Sequence, residues 1–438
     1  MRVYALSMRY IRFYSTILSA LLLFAAGMPA RAEGAAPLSF AEDGTFTVML
    51  VSDVEELPAP SGYYTSVLSR ALDGCKPNLV VFLGDQLFGG SGAFSAGSRA
   101  ENVRNAIEGV VKPAKDRGVP FAVVLGSADA DAGVPADLQL SIYESAGAVG
   151  ETSGEQGVRR LGVRAYGGTA DILNFYFFDT AGRTADGGEG AVSAEQIESY
   201  RGMSAKLREG NGGEVVPSIA FSHGFVPEIY EALDEAGKLS EAAVEGGGAY
   251  EGRYYLKESE AVLFGGVNTA PTVSAENFGL FDALADAGDV FAACFGGDHA
   301  NAFLTAFDGV DLVGVPGATY VGENSRGTRG AMLLRFSEDN VRDYEIRFVP
   351  FADYENLNVF TAIPYYLAVD KSIPTNAKIA FFAGVILLAA ALLLLADGRK
   401  KGGIPAPYDD GKEDIPLETA PKPNADKKES DAEKENIN

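Results

Sequence analysis

The stretch D-V-F-A-A-C-F-G-G-D-H-A-N-A-F, residues 289–303, constrains the fold of this chain more than any other. Its apolar run, 290–295, is too short for an ordinary helix and is cut off by Gly296 and Gly297, the pattern of a buried central strand. Past the turn comes a polar tip with Asp298, His299 and Asn301. The chain has only two histidines, and the other, His223, closes a similar run, S-I-A-F-S-H-G. Two strand ends that each carry a common metal-binding residue point to a site built from strand-end loops. Histidines that merely cap their strands would leave the same pattern, so the remaining strand ends decide.

Those ends are acidic or glycine-rich. T-F-T-V-M-L-V-S-D-V-E-E reads as a strand delivering Asp53 and Glu55, followed by a helix over 64–72. P-N-L-V-V-F-L-G-D-Q is a second strand, ending at Asp85. A helix over 101–111 should stop at Pro113. The next strand, P-F-A-V-V-L-G-S-A-D-A-D, ends at Gly126 and leads into Ser127, Ala128, Asp129 and Asp131. Strands alternating with helices, with polar residues past the strand ends, predict an α/β fold.

Further on, glycine-rich stretches around Gly154 and Gly187 read as surface loops, and a strand over 171–178 ends in Asp179. Ser193 and Gln196 form a capping box for a helix whose apolar face is Ile197, Tyr200, Met203 and Leu207. Residues 246–266 show no clear periodicity. A short helix over 277–287 leads into the 290–295 strand, and 310–315, 331–336 and 341–348 read as antiparallel strands.

The ends of the chain set its location. A basic start, an apolar run and the A-x-A site at Ala30-Arg31-Ala32 predict a signal peptide over 1–32. Residues 379–396 are almost wholly apolar and long enough to span a bilayer, and Arg399, Lys400 and Lys401 place the following side in the cytoplasm. The expected organisation is an ectodomain over 33–371, a transmembrane helix over 379–396 and a disordered cytoplasmic tail over 397–438. The protein would thus be single-pass in the cell membrane. A net charge of −24 argues against nucleic acid as a partner. With only Cys75 and Cys294 present, no disulfide framework is expected in this exported chain.

In order, the strand ends read S-D-V-E, F-L-G-D-Q, V-L-G-S-A-D, F-S-H-G and F-G-G-D-H. This series resembles the calcineurin-like metallophosphoesterases, whose motifs are D-x-H, G-D-x-x, G-N-H-D, a lone His and G-H-x-H. The resemblance runs over roughly 45–348 and extends to the branch related to purple acid phosphatases. N-F-Y-F-F-D-T is similar to that branch's strand ending in L-D-S, and residues 278–303 to its stretch leading into G-H-D-H-x-N. It implies a β-sandwich core flanked by helices (α/β/β/α), a divalent-metal site at the strand ends, and phosphate esters as substrates.

The resemblance also assigns ligands. The first metal would fall to Asp53, Glu55, Asp85 and His299, with Glu55 in place of a histidine. The second would share Asp85 and take Ser127, His223 and Gly297, of which Ser127 is a weak ligand and Gly297 none. The acid that assists the leaving group falls at Ala128, while its supporting Asp129 remains. Phe88 stands where purple acid phosphatases carry a metal-binding tyrosine. A shell of carboxylates and imidazole suits one Mn²⁺, Mg²⁺ or Fe²⁺. Two functions accord with these departures: a phosphoesterase with a reduced, one-metal site, or an inactive relative serving as a binding or scaffolding module at the envelope.

Overall fold

A computed structural model describes residues 37–60, 62–150, 158–185, 187–258, 260–322, 324–356 and 375–401. The expected signal peptide, the stretch around Gly154, residues 357–371 of the expected ectodomain and residues 402–438 of the expected tail lie outside these. Residues 1–374 and 375–438 form separate units, each described by itself.

Alternation of side chains along short apolar strands builds the first unit. Its first half runs β1 (Leu38–Ser39), β2 (Thr45–Val51), α1 (Gly62–Cys75), β3 (Leu79–Leu83), α2 (Arg99–Lys115), β4 (Phe121–Val124), α3 (Ser127–Asp131) and α4 (Ala136–Ala146). Then follow β5 (Val158–Arg164), β6 (Asp171–Phe178), α5 (Ala194–Gly210), β7 (Ser218–Ser222), β8 (Glu235–Ala236), β9 (Ala243–Glu245), β10 (Tyr254–Leu256) and β11 (Val262–Gly266). The last part holds α6 (Leu280–Ala287), β12 (Val290–Phe295), β13 (Ala302–Phe307), β14 (Val310–Gly314), β15 (Gly330–Ser337) and β16 (Asn340–Pro350).

Among the described residues, one sheet has the order β1-β5-β6-β7-β12-β14-β13-β11 and a second has β16-β15-β2-β3-β4. In β3, Leu79, Val81 and Leu83 face the other sheet, while Val80 and Phe82 face the helices. In β6, Leu173, Phe175 and Phe177 point inward and Tyr176 and Phe178 outward. The inner core between the sheets is therefore sealed on both sides by apolar outer faces. The outer face of the five-stranded sheet packs on α1, α2 and α4, and that of the eight-stranded sheet on α5 and α6. This is a layered arrangement of two mixed sheets flanked by helices. A strand covered on both faces must be apolar throughout, which is why β12 has all six residues buried.

Two local expectations are corrected. The helix α2 does not stop at Pro113 but continues to Lys115. Proline in the last turn removes only one late hydrogen bond, and Pro113 is buried. Of the three late strands expected to be antiparallel, β15 and β16 are, but β14 pairs parallel with β12 and antiparallel with β13. Cys75 and Cys294 are both free.

In the second unit, α7 (Thr375–Lys401) carries an apolar stretch, Asn376–Leu394, with mean hydropathy 2.5. By length and composition it is a candidate for crossing a bilayer.

Candidate metal centre

Strands β2, β3 and β4 run parallel in one sheet, and β6, β7 and β12 run parallel in the other. Several of their carboxyl ends meet through hydrogen bonds between the sheets. His223 Nδ1, past β7, lies 2.7 Å from the Leu83 carbonyl at the end of β3. The Gly297 amide, past β12, donates to Asp53 Oδ2, past β2, at 3.2 Å. Asp179, past β6, accepts the Leu125 amide at 2.9 Å and pairs with Arg159 at 2.8 Å. The sandwich is thus laced at the rim where the polar residues gather.

The chain bends sharply to present its acids. Asp53, Glu55 and Asp85 all have positive φ, at 48°, 50° and 50°. Left-handed backbone costs a residue with a side chain about 1 kcal/mol or more. Three such residues at one rim are held by pairing between the loops: Asp53 N donates to Gly84 O, and Glu55 N to Asp85 O, each at 3.1 Å. Strain concentrated in this way marks a site where side-chain position matters more than local stability.

Among the described residues, Asp53, Asp85 and His223 form a cluster with one ligand atom from each within 4.8 Å of the others. His223 Nε2 stands 3.1 Å from Asp85 Oδ2 and 3.9 Å from Asp53 Oδ1. The ring is 1 % exposed, and Nε2 makes no well-formed hydrogen bond. Because Nδ1 faces a carbonyl, it must carry the proton, which leaves Nε2 with its lone pair toward the acids in the neutral ring. Glycines let the backbone close on the ring: a Cβ at Gly84, Gly126 or Gly296 would come within 2.6, 2.6 or 2.9 Å of it. Burial opposes charge on His223, but the carboxylates of Asp85 and Asp53 outweigh it and raise its affinity for a proton. A buried, lone-pair-bearing nitrogen held against two carboxylates fits a divalent cation.

Glu55 and His299 stand further out. His299 Nε2 is 3.5 Å from Asp53 Oδ1 and 4.0 Å from Glu55 Oε1. Glu55 Oε2 is buried with no hydrogen-bond partner, against Gly322. Burial, with Asp53 and Asp85 adding to it, raises the Glu55 carboxyl to about 7, against the pull of His299 and Thr319.

The face expected to hold a second metal is differently filled. The Ser127 hydroxyl is hydrogen-bonded to Glu189 Oε2. Gly297 offers no ligand and has φ of +79°. Ala128 contributes its amide, which donates to Asp85 Oδ1 at 2.8 Å. Asp129 accepts the Leu87 amide on one oxygen and the Gly126 amide on the other, both at 2.9 Å, so it braces the two loops. Burial and the nearby Asp85 raise its carboxyl to about 7 despite those amides. Asp131 is paired with Arg183 at 2.7 Å, and Arg183 also reaches Glu189 at 3.1 Å. Sequence reasoning missed both Arg183 and Glu189. They lie in a glycine-rich loop, where only the opposite charges six residues apart could have drawn attention.

The polar tip after β12 divides its labour. Asp298 accepts the Thr272 hydroxyl at 2.7 Å, and Asn301 accepts the amides of Asn268 and Thr269 at 2.8 and 3.0 Å. These two residues anchor the 268–272 loop, and His299 between them faces the acids.

Two plant proteins from Arabidopsis thaliana are similar to this chain. Probable inactive purple acid phosphatase 28 is 24 % identical over 314 residues, covering 63 % of this chain and 70 % of its own length. Probable inactive purple acid phosphatase 14 is 24 % identical over 335 residues, covering 67 % and 75 %. No protein-family model matches the chain. Among solved structures, a dimetal phosphatase from Danio rerio aligns with a TM-score of 0.46 at 12 % identity, over 70 % of this chain and 96 % of its own. Purple acid phosphatase PPD1 from yellow lupin, Lupinus luteus, gives 0.39 at 12 % identity, over 74 % and 54 %. The resemblance to proteins related to purple acid phosphatases, read from the strand ends, is borne out by the two plant relatives.

Proposed function

We propose that this chain is a membrane-anchored, extracytoplasmic phosphoesterase of the calcineurin-like kind, with a reduced site that holds one divalent metal ion. The observation that carries the reading is His223 Nε2, buried, without a well-formed hydrogen bond and aimed at Asp53 and Asp85. These three residues would hold the ion, with His299 and Glu55 near enough to join them. An ion bound there supplies Lewis acidity, favouring ionisation of water and polarising a phosphoryl oxygen. The residues of the chain do the rest. The Ala128 and Gly297 amides orient Asp85 and Asp53, and the Leu83 carbonyl fixes the tautomer of His223.

No proton donor stands at Ala128, so an ester with a poor leaving group loses about 10²–10⁴-fold relative to an enzyme with the acid. Aryl phosphates should therefore be cleaved far better than alkyl phosphates. A second reading, an inactive binding module at the envelope, is favoured by the same alanine and by the names of the two plant relatives. Anchoring by α7, with residues 33–371 outside and the basic flank at Arg399 inside, rests on the apolar stretch and its charge asymmetry.

The test is metal content and hydrolysis on the full chain in detergent, with an aryl and an alkyl phosphate compared. One Mn²⁺ per chain with aryl-selective turnover supports the enzyme. One Mn²⁺ without turnover, or no Mn²⁺ and no turnover, supports the binding module, and a chain without bound Mn²⁺ overturns the one-metal enzyme.

A further inference from the structure

We infer that the guanidinium of Arg183 has taken the place of the second metal ion, closing that half of the site to divalent cations. The inference deepens the one-metal reading and rests on it.

A connected chain of contacts crosses the face where the second ion would sit. Arg183 Nη2 meets Asp131 Oδ2 at 2.7 Å, and Nη1 meets Glu189 Oε1 at 3.1 Å. The other Glu189 oxygen accepts from the Ser127 hydroxyl. Ser127 adjoins Ala128, whose amide donates to Asp85 Oδ1 at 2.8 Å. From Asp85 to Arg183 every step is therefore a hydrogen bond or a neighbouring residue. Backbone pairing between Arg183 and Glu189 holds the two side chains on one short bridge.

Charge explains why a cation is needed there. Asp85, Asp131 and Glu189 bring three carboxylates to this face. Left alone, they would repel one another and attract a divalent ion. A guanidinium is permanently charged and can engage two carboxylates at once through its fork of N–H groups. The bond to Asp131, with the charges of Glu189 and Asp85 adding to it, holds the proton of Arg183 even more firmly than usual. The guanidinium offsets part of the negative charge of the face without supplying an open coordination position. Gly297, which offers no ligand, and Ser127, already hydrogen-bonded to Glu189, complete the closure.

Mn²⁺ uptake by the full chain in detergent tests this, read by metal analysis and electron paramagnetic resonance. The wild type should show an isolated ion that stays isolated up to millimolar Mn²⁺. Arg183→Gln leaves Glu189 and Asp131 unneutralised, and should take up one more ion than the wild type, with an exchange-coupled spectrum. Arg183→Lys, which keeps the charge but not the fork, should take up less of the second ion than Arg183→Gln. An Arg183→Gln chain that binds no more Mn²⁺ than the wild type overturns the inference. Should that variant not fold, Arg183→Met takes its place under the same criterion, and a coupled ion pair in the wild type overturns the inference in either case. The variant-minus-wild-type difference reads the role of Arg183, whereas the wild-type baseline reads the one-metal site, so the two can fail separately.

Discussion

His223 reaches from the end of β7 to within 3.1 Å of Asp85 at the end of β3, its Nε2 leading. The same ring touches the Leu83 carbonyl through Nδ1, so one imidazole both ties the two sheets and faces the acids. Replacing it with alanine should lower Mn²⁺ affinity by at least the ~10–100-fold that losing an outer-shell partner costs. His299→Ala should cost less, because that ring is more exposed and nearest to Asp53 at 3.5 Å. Titration calorimetry on the full chain checks both. Equal affinity in wild type and His223→Ala would move the ion elsewhere.

Metal-free protein should lose stability as pH rises from about 4 to 7. Glu55 and Asp129 are raised to about 7 and Asp298 to about 6, in each case chiefly by burial. A carboxyl with a raised folded pKa stabilises the fold while protonated, and that contribution fades between its unfolded and folded values. His223, also raised, acts in the same sense: its contribution is full below the unfolded value near 6.5 and fades as pH climbs through the folded one. Asp53, lowered against its burial by His223 and His299, adds stability that is lost only below its unfolded value near 3.8, outside this window. Thermal melts in chelator at pH 5, 6, 7 and 8 should show a falling midpoint, and added Mn²⁺ should raise it most at pH 8. A midpoint that climbs from pH 5 to 8 without metal would contradict these assignments.

Asn301 is fully buried and makes four hydrogen bonds, accepting from Asn268 and Thr269 and donating to Thr269 and Asp298. Alanine there strands buried donors and acceptors, each costing about 1–3 kcal/mol. Asn301→Ala should thus unfold at markedly lower denaturant, with an unchanged m-value if the 268–272 loop stays folded. A midpoint within error of wild type would mean that water replaces the amide.

Much of the frame was legible because its strands are apolar on both faces and end abruptly. The expected bounds of β12 and β6 coincide with the observed Val290–Phe295 and Asp171–Phe178. Residues 246–266 were not legible, since β10 is only three residues long and β11 ends in two glycines, so neither carries a usable period. That region is held instead by distant aromatic contacts, Tyr230 lying 5.0 Å from Tyr250 and 4.9 Å from Tyr255. At the rim, residue types at strand ends suggested which side chains could meet. They could not reveal that Asp129 spends both oxygens on backbone amides, or that Glu189 arrives opposite Ser127 from a loop 62 residues on.

Restoring the lost residues gives the last prediction. Ser127→Asn, Ala128→His and Gly297→His together should raise turnover of alkyl phosphates, because they return two ligands and the acid as a unit. Single changes should gain little, since groups that act together are far from additive. Ala128 is half-buried at the rim, so a larger side chain there can extend toward solvent. Gly297 is the harder position. A Cβ there meets only ordinary contacts, 3.4 Å from the His223 carbonyl and 3.7 Å from its Nε2, but φ of +79° costs histidine about 1 kcal/mol. The asparagine that replaces Ser127 must also displace Glu189, so adding Arg183→Gln to the triple variant should increase the gain further. Steady-state kinetics with aryl and alkyl phosphates reads the outcome. Robust alkyl-phosphate hydrolysis by the wild type that survives Asp85→Ala and His223→Ala would place the chemistry outside this rim.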